Sequence, residues 1–286
     1  MGLNEVVTIM FLMIGLGILA GFLGSLLGIG GGLIVTPILT WAIGLDIKYT
    51  IATSIIVVIA TSSGAAISYL KDKVINIRAG MFLEIFTSLG GLCGAILTGI
   101  IWPSLLYGLF AFVMIFSAIN TIIKMFNKRS EINVYVKNDK IATKFRLNGS
   151  YFDKELNQEI QYNVKNIPLG SVIMFGAGLA SGLLGIGSGI FKVIAMDNAM
   201  KMPLKPSSAT SNFMMGVTGA ASAIVYFFNG SILPEITIPV VIGVLLGSIL
   251  GSRIMPKIPN KVMRIMFVIV MLVFAIQMLS KAVVLF

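Results

Sequence analysis

The stretch "GSLLGIGGGLIVTP", residues 24–37, carries five glycines within nine residues and no charge. Glycine costs a helix interior about 1 kcal/mol relative to alanine, through the backbone freedom it gives up. A cluster of glycines in an apolar run therefore predicts that a helix stops there and restarts. Everything around it is apolar. The chain has 286 residues, 57% hydrophobic and 11% charged, with a mean hydropathy of +0.99. A soluble domain carries about a quarter of its residues charged, so this composition is that of an integral membrane protein.

Apolar segments lie at about 6–45, 50–70, 79–101, 104–124, 168–200, 207–228, 236–255 and 262–284. Most match the ~20 residues that cross a bilayer. The first is too long for one crossing, and Gly28–Gly32 divides it into about 22 and 13 residues; Gly185–Gly189, "GIGSG", divides the fifth in the same way. The excess of 21 basic over 11 acidic residues is that of cytoplasmic loops in a polytopic protein and calls for no nucleic-acid partner. Cys93 is alone and histidine is absent, so no disulfide framework, thiol metal site or histidine ligand is expected. No set of nucleophile, base and metal stands out, and neither an enzyme nor a cofactor is expected. The start "MGLNEVV" has an acid and no basic cluster, and its apolar stretch is too long for a cleaved signal, so it reads as mature sequence.

The two divided segments belong to a repeat. Residues 21–70 fall on 178–227 without a gap, with 16 identities in 50 positions. Gly28-Ile29-Gly30 falls on Gly185-Ile186-Gly187, Gly32 on Gly189, Lys48 on Lys205, Ala52-Thr53-Ser54 on Ala209-Thr210-Ser211, and Tyr69 on Tyr226. The third spans match as "GAILTGIIWP" (94–103) and "GSILGSRIMP" (247–256). The expected fold is all-α: a transmembrane bundle of two four-segment repeats, 1–124 and 168–286, around a basic loop, 125–167.

Orientation follows from where Lys and Arg collect. If each divided segment crosses once, the halves are parallel and the basic residues split 13 to 8. If each dips in and returns, the halves are inverted and the split is 18 to 2, with Lys48 and Lys281 on the sparse side and Lys192 left over. The inverted arrangement is expected, with both termini outside and the 125–167 loop cytoplasmic. That loop alternates polar and apolar residues and holds an Asn-Gly pair at 148–149, the signature of a β-hairpin turn.

Non-helical backbone is tolerated at membrane depth only where protein or water covers it. Breaks at corresponding places in two repeats point to a transport site. After each break a short half-helix, 33–45 or 190–200, opens with unpaired N–H groups and the positive end of a dipole. Glycine lets an oxyanion approach them. Close helix packing is the structural alternative for each run. Candidate substrate contacts are Gly28, Gly30, Gly31, Gly32, Gly185, Gly187, Ser188 and Gly189, with Thr53, Ser54, Thr210 and Ser211 from the Ala-Thr-Ser motifs. The hydroxyls either donate to an anion or bond back to their own helix. Asn212, where the first half has Ile55, is a further candidate. Lys192 stands where the first half has Val35; it complements an anion, pairs with Asp197 five residues on, or snorkels to an interface. Glu84 and Asp197 are the carboxylates placed to carry a proton.

The pattern GxxGxxxGxGGGxxxxP of Gly21–Pro37, its echo at 178–194, the Ala-Thr-Ser motifs and the duplicated eight-segment layout resemble the sulfite exporter TauE/SafE family of membrane permeases. The chain departs from it in the second half, where Ser188 replaces a glycine and Ile194 stands where a proline is expected. The resemblance implies secondary transport of a small sulfur-containing anion, such as sulfite or an organosulfonate, usually outward across the cell membrane. A passive anion channel and a structural membrane subunit are the alternatives, and a homo-oligomer is compatible with either.

Overall fold

The computed structural model describes residues 3–27, 30–71, 74–126, 139–153, 158–254 and 260–284. Gly28, a candidate of the first break, lies outside the described residues. Helix α1 is described over Leu3–Leu27, Gly30 and Gly31 lie outside any helix, and α2 (Gly32–Ala42) starts after Gly31. At the second glycine run α7 (Ile167–Leu184) ends on Gly185, and α8 (Gly189–Ile194) starts after Ser188. Here the returning helix is shorter than expected and passes into a π-helical turn, Ala195–Ala199.

Between the breaks run α3 (Ile47–Lys71), α4 (Ile77–Ile100), α5 (Pro103–Phe126) and a short α6 (Lys140–Lys144). After the second break come α9 (Leu204–Phe228), α10 (Pro234–Ile254) and α11 (Asn260–Val284). Local chemistry sets several starts. The Asn76 side chain caps α4 by accepting from Ala79 N at 3.0 Å, and Asp139 caps α6 through Ile141 N at 2.8 Å. Among the described residues, five helical stretches are long and apolar enough to cross a membrane: Ile77–Ile100, Pro103–Ile123, Ile167–Leu184, Lys205–Phe228 and Pro234–Gly251.

Helix α1 packs on α10 and α7 on α4, α3 packs on α9 and α5 on α11, and α2 and α8 lie on α3 and α9. Glycines let the first two pairs touch backbone to backbone. A Cβ at Gly21 would lie 2.3 Å from Val244 O, and one at Gly178 2.0 Å from Thr87 O. Likewise Gly247 abuts Ile18 O and Gly90 abuts Phe175 O, both at 2.1 Å. Each member of these pairs of contacts is 157 residues from its counterpart, the offset of residues 21–70 on 178–227. The sequence match of the third spans, 94–103 on 247–256, slips from this register by four residues. Glycines recur there every four residues (Gly90 and Gly94; Gly243, Gly247 and Gly251), so a slip of one helical turn still aligns them. Gly182→Ala, whose Cβ would lie 2.0 Å from Gly91 O, is expected to destabilise the protein by about 1–3 kcal/mol. Gly176→Ala, with nothing within 4 Å, should not; thermal unfolding in detergent compares them.

The second divided segment returns to the end it leaves from. Lys165 N donates to Met200 O at 3.0 Å, and Asn166 Nδ2 to Ala199 O at 3.2 Å. Elsewhere, lysines meet the carbonyl ends of helices, where a cation is favoured. Lys281 Nζ donates to Thr40 O (2.7 Å) in the last turn of α2, and Lys48 Nζ to Gly99 O (3.1 Å) near the end of α4.

The central loop does form a hairpin, β1 (Gly149–Asp153) with β2 (Gln158–Tyr162), antiparallel. Asn148-Gly149 is not its turn: Gly149 pairs with Tyr162 at the open end of the ladder. Asn148 Oδ1 there accepts from Val164 N at 3.0 Å, and a Cβ on Gly149 would lie 2.8 Å from the Tyr162 hydroxyl oxygen. The pair closes the base of the hairpin. Asn76 Nδ2 ties that base to α4 by donating to Leu147 O (2.8 Å) and the Tyr162 hydroxyl oxygen (3.0 Å). Burial pushes the Tyr162 hydroxyl up to about 12, against the opposing effect of the Asn76 bond, so the phenol stays neutral at ordinary pH.

Candidate transport site

The two breaks meet. A Cβ on Gly32 would lie 2.5 Å from Gly185 O, so only a glycine lets these strands of irregular backbone touch. Ser54 on α3 joins them: its Oγ lies 2.9 Å from Gly32 O and 2.5 Å from Gly185 O. Ser211 on α9 donates to Gly189 O at 3.0 Å, the counterpart of the Ser54–Gly32 bond, and Thr61 donates to Gly30 O at 2.7 Å. The sulfur of Met215 fills the gap, 3.5, 3.2 and 2.8 Å from the Cβ positions of Gly30, Gly187 and Gly189.

The turns that reverse the chain need left-handed backbone. Gly30 and Gly31 have φ of 77° and 71°, and Gly185 and Gly187 of 68° and 67°. Ser188 follows them into that region with φ 50°, where a non-glycine residue is uncommon. Its side chain is 2% exposed and its Oγ has no hydrogen-bond partner. Ser117 on α5 is 1% exposed and likewise unpartnered. Both line one narrow cleft with Leu33, Val113, Ile186 and Phe191, at the first turns of α2 and α8. Leaving buried donors unmade costs about 1–3 kcal/mol each. In this conformation the cleft has no room for a water molecule, so a guest that accepts hydrogen bonds enters only if the surrounding helices part.

The structure gathers Gly30, Gly31, Gly32, Ser54, Gly185, Gly187, Ser188, Gly189 and Ser211 at this junction. In this conformation the Ser54 and Ser211 hydroxyls are committed to carbonyl oxygens. The remaining motif residues bond elsewhere. Thr53 Oγ1 lies 3.1 Å from Thr237 Oγ1 on α10, Thr210 Oγ1 accepts from Asn76 N at 3.0 Å, and Asn212 Nδ2 donates to Ser208 O on its own helix at 3.1 Å.

Lys192 pairs with Glu84, not with Asp197, and does not reach an interface. The Lys192 side chain is fully buried; its Nζ donates to Thr218 Oγ1 at 2.6 Å and lies 3.9 Å from Glu84 Oε2. Thr218 in turn donates to Glu84 Oε1 at 2.6 Å, and Ser88 donates to the same oxygen at 2.9 Å. Ser117, Met215 and Thr218 were not singled out in the sequence. Thr218 had a signal, since it is identical to Thr61 at the repeat offset.

Bilayer-length apolar helices packed around irregular backbone and a buried ion pair are the arrangement of a multi-pass membrane transporter. The chain belongs to the sulfite exporter TauE/SafE family, whose model matches residues 13–278. It is 27% identical over 224 residues to the probable membrane transporter protein YunE of Bacillus subtilis, covering 76% of this chain and 78% of that one. YdhB of the same organism, also a probable membrane transporter protein, is 25% identical over 83% of this chain and 84% of its own. A probable membrane transporter protein of Haemophilus influenzae is 26% identical over 82% and 83%. No solved structure matches the chain.

Proposed function

We propose that this transporter carries a small sulfur-containing anion, such as sulfite or an organosulfonate, by alternating access, with the anion held where the two glycine breaks meet. The observation that carries this reading is the cleft with two buried, unpartnered hydroxyls, Ser117 and Ser188, beside first-turn backbone of both half-helices. An oxyanion accepts hydrogen bonds from both and from first-turn backbone N–H groups, although at α2 Gly32 N and Ile34 N already donate to Gly30 O (2.8 Å) and Gly31 O (3.0 Å). The halves rock as inverted units, with termini outside and the 125–167 loop cytoplasmic. The returning path of residues 167–200 and the 18-to-2 distribution of basic residues support that arrangement.

Liposomes loaded with labelled sulfite, sulfate and a sulfonate test the site. Ser117→Ala and Ser188→Gly each remove one donor, the latter without straining the backbone. Hydrogen bonds to charged groups contribute about 1.5–3 kcal/mol, so KM should rise roughly tenfold or more in each. Gly187→Ala puts a Cβ 2.8 Å from Val58 Cγ1 at a left-handed position and should stop flux; Gly30→Ala, with 3.5 Å to Met215, should retain more. Unchanged kinetics in all four variants would remove the site. Saturation and counterflow distinguish a carrier from a channel. For orientation, a cysteine at Ser231 in a Cys93→Ser background should react with an impermeant maleimide from outside, and one at Lys144 only after lysis. The reverse pattern would invert the proposal.

A further inference from the structure

The two halves differ most in charge. At the repeat offset Lys192 corresponds to Val35, Glu84 to Val241, and Thr218 to Thr61. Thr61 gives its proton to Gly30 O, whereas Thr218 stands between a buried ammonium and a buried carboxylate. Glu84 is 4% exposed, and its Oε2 has no hydrogen-bond partner. Around it the titratable groups are few. Helix α7 has none, and α9 has Lys205 in its first turn and Tyr226, whose hydroxyl bonds Thr98 Oγ1 and Gly182 O. Arg78 is exposed at the start of α4, and Asp197 lies on the π-helical turn five residues from Lys192. Among the described residues Lys192 is the cation within ion-pair distance of Glu84.

We propose that Glu84 takes up one proton whenever an anion binds beside Lys192, so that anion and proton travel together. This rests on the anion-transport reading above. Without a guest, the ammonium and the carboxylate sum to zero. A monovalent anion in the cleft, one helical turn before Lys192, brings the buried site to −1. A net charge in apolar surroundings is strongly disfavoured. A proton from bulk water on the open side forms an O–H bond at Glu84 Oε2 and restores neutrality. When the anion leaves on the other side the proton leaves too, and the ion pair reforms. No electrons change hands.

A sulfonate is the suitable probe, since its acid is too strong to carry a proton itself. Liposomes with an internal pH dye and a clamped membrane potential should acidify inside as the sulfonate enters. A gradient of one pH unit should then support roughly tenfold accumulation, the equivalent of one proton per anion. Glu84→Gln, and the charge-balanced Glu84→Gln with Lys192→Gln, should show no acidification and an accumulation ratio of about one. Independently of flux, infrared difference spectra on sulfonate addition should show a protonated-carboxyl band in the wild type that both variants lack. Sulfonate flux without acidification, a wild type without that band, or tenfold accumulation by the double variant would each overturn the coupling alone. Flux of none of sulfonate, sulfate and sulfite would overturn the anion reading as well.

Discussion

Gly32→Ala should lower anion flux by roughly ten- to hundredfold in a protein that still folds, while Gly108→Ala should leave it unchanged. The added Cβ at 32 meets Gly185 O and Val58 Cγ2, each at 2.5 Å, and Ser54 Oγ at 2.8 Å; the one at 108 meets nothing within 4 Å. Overpacking of this kind costs about 1–3 kcal/mol, and the atoms in the way are a carbonyl of the second break and two side chains of α3. Relief requires the breaks to part, which stretches the bonds from Ser54 to Gly32 O and Gly185 O. The loss is therefore expected in transport more than in overall stability. Initial rates in liposomes, with size-exclusion profiles of each variant, separate the two. Wild-type flux in Gly32→Ala would mean that contact between the breaks is dispensable.

Lys192→Met should destabilise the protein by roughly 3–5 kcal/mol, because it leaves the Glu84 carboxylate buried without its cation. Adding Glu84→Gln should restore most of the loss, since the double variant buries no charge. Thermal unfolding in detergent of the two single variants and the double completes the cycle. Purely additive costs would show that the charges do not interact. Thr218→Val should fall between, because it keeps both charges and removes the hydroxyl joining them.

What the sequence could and could not reveal follows from the range of the interactions. Helix breaks are local: glycines at 28–32 and 185–189 disfavour helix wherever they stand, and the structure has Gly30 and Gly31 outside any helix and ends α7 at Leu184. The hairpin in the central loop was legible from alternation. Its turn was misplaced because Asn-Gly also suits the base of a ladder, where a close hydroxyl excludes a side chain. Lys192 invited a search five residues ahead, to Asp197. Its partner lies 108 positions back on α4, and only the packing of α8 and α4 around α9 brings them together. Ser117 is one serine in an apolar helix, and nothing in one dimension distinguishes it from a hydroxyl bonded to its own backbone. The Ala-Thr-Ser motifs were visible as pattern, but the recipients of their protons, carbonyl oxygens of the breaks for Ser54 and Ser211, depend on how the chain doubles back.

The serine at position 54 has one hydroxyl proton and two carbonyl oxygens within reach, one in each half. Ser211 has a single such oxygen, in its own half. The fastening across the junction is thus one-sided, and it is a contest that parting decides. If the halves separate as proposed, the proton stays with Gly32 or follows Gly185, and the oxygen left behind faces whatever enters the gap. An anion is a poor neighbour for a bare carbonyl, while water or an ammonium group is a good one. Under the proposed alternating access, the unlatched junction would therefore fill with solvent before it refills with cargo.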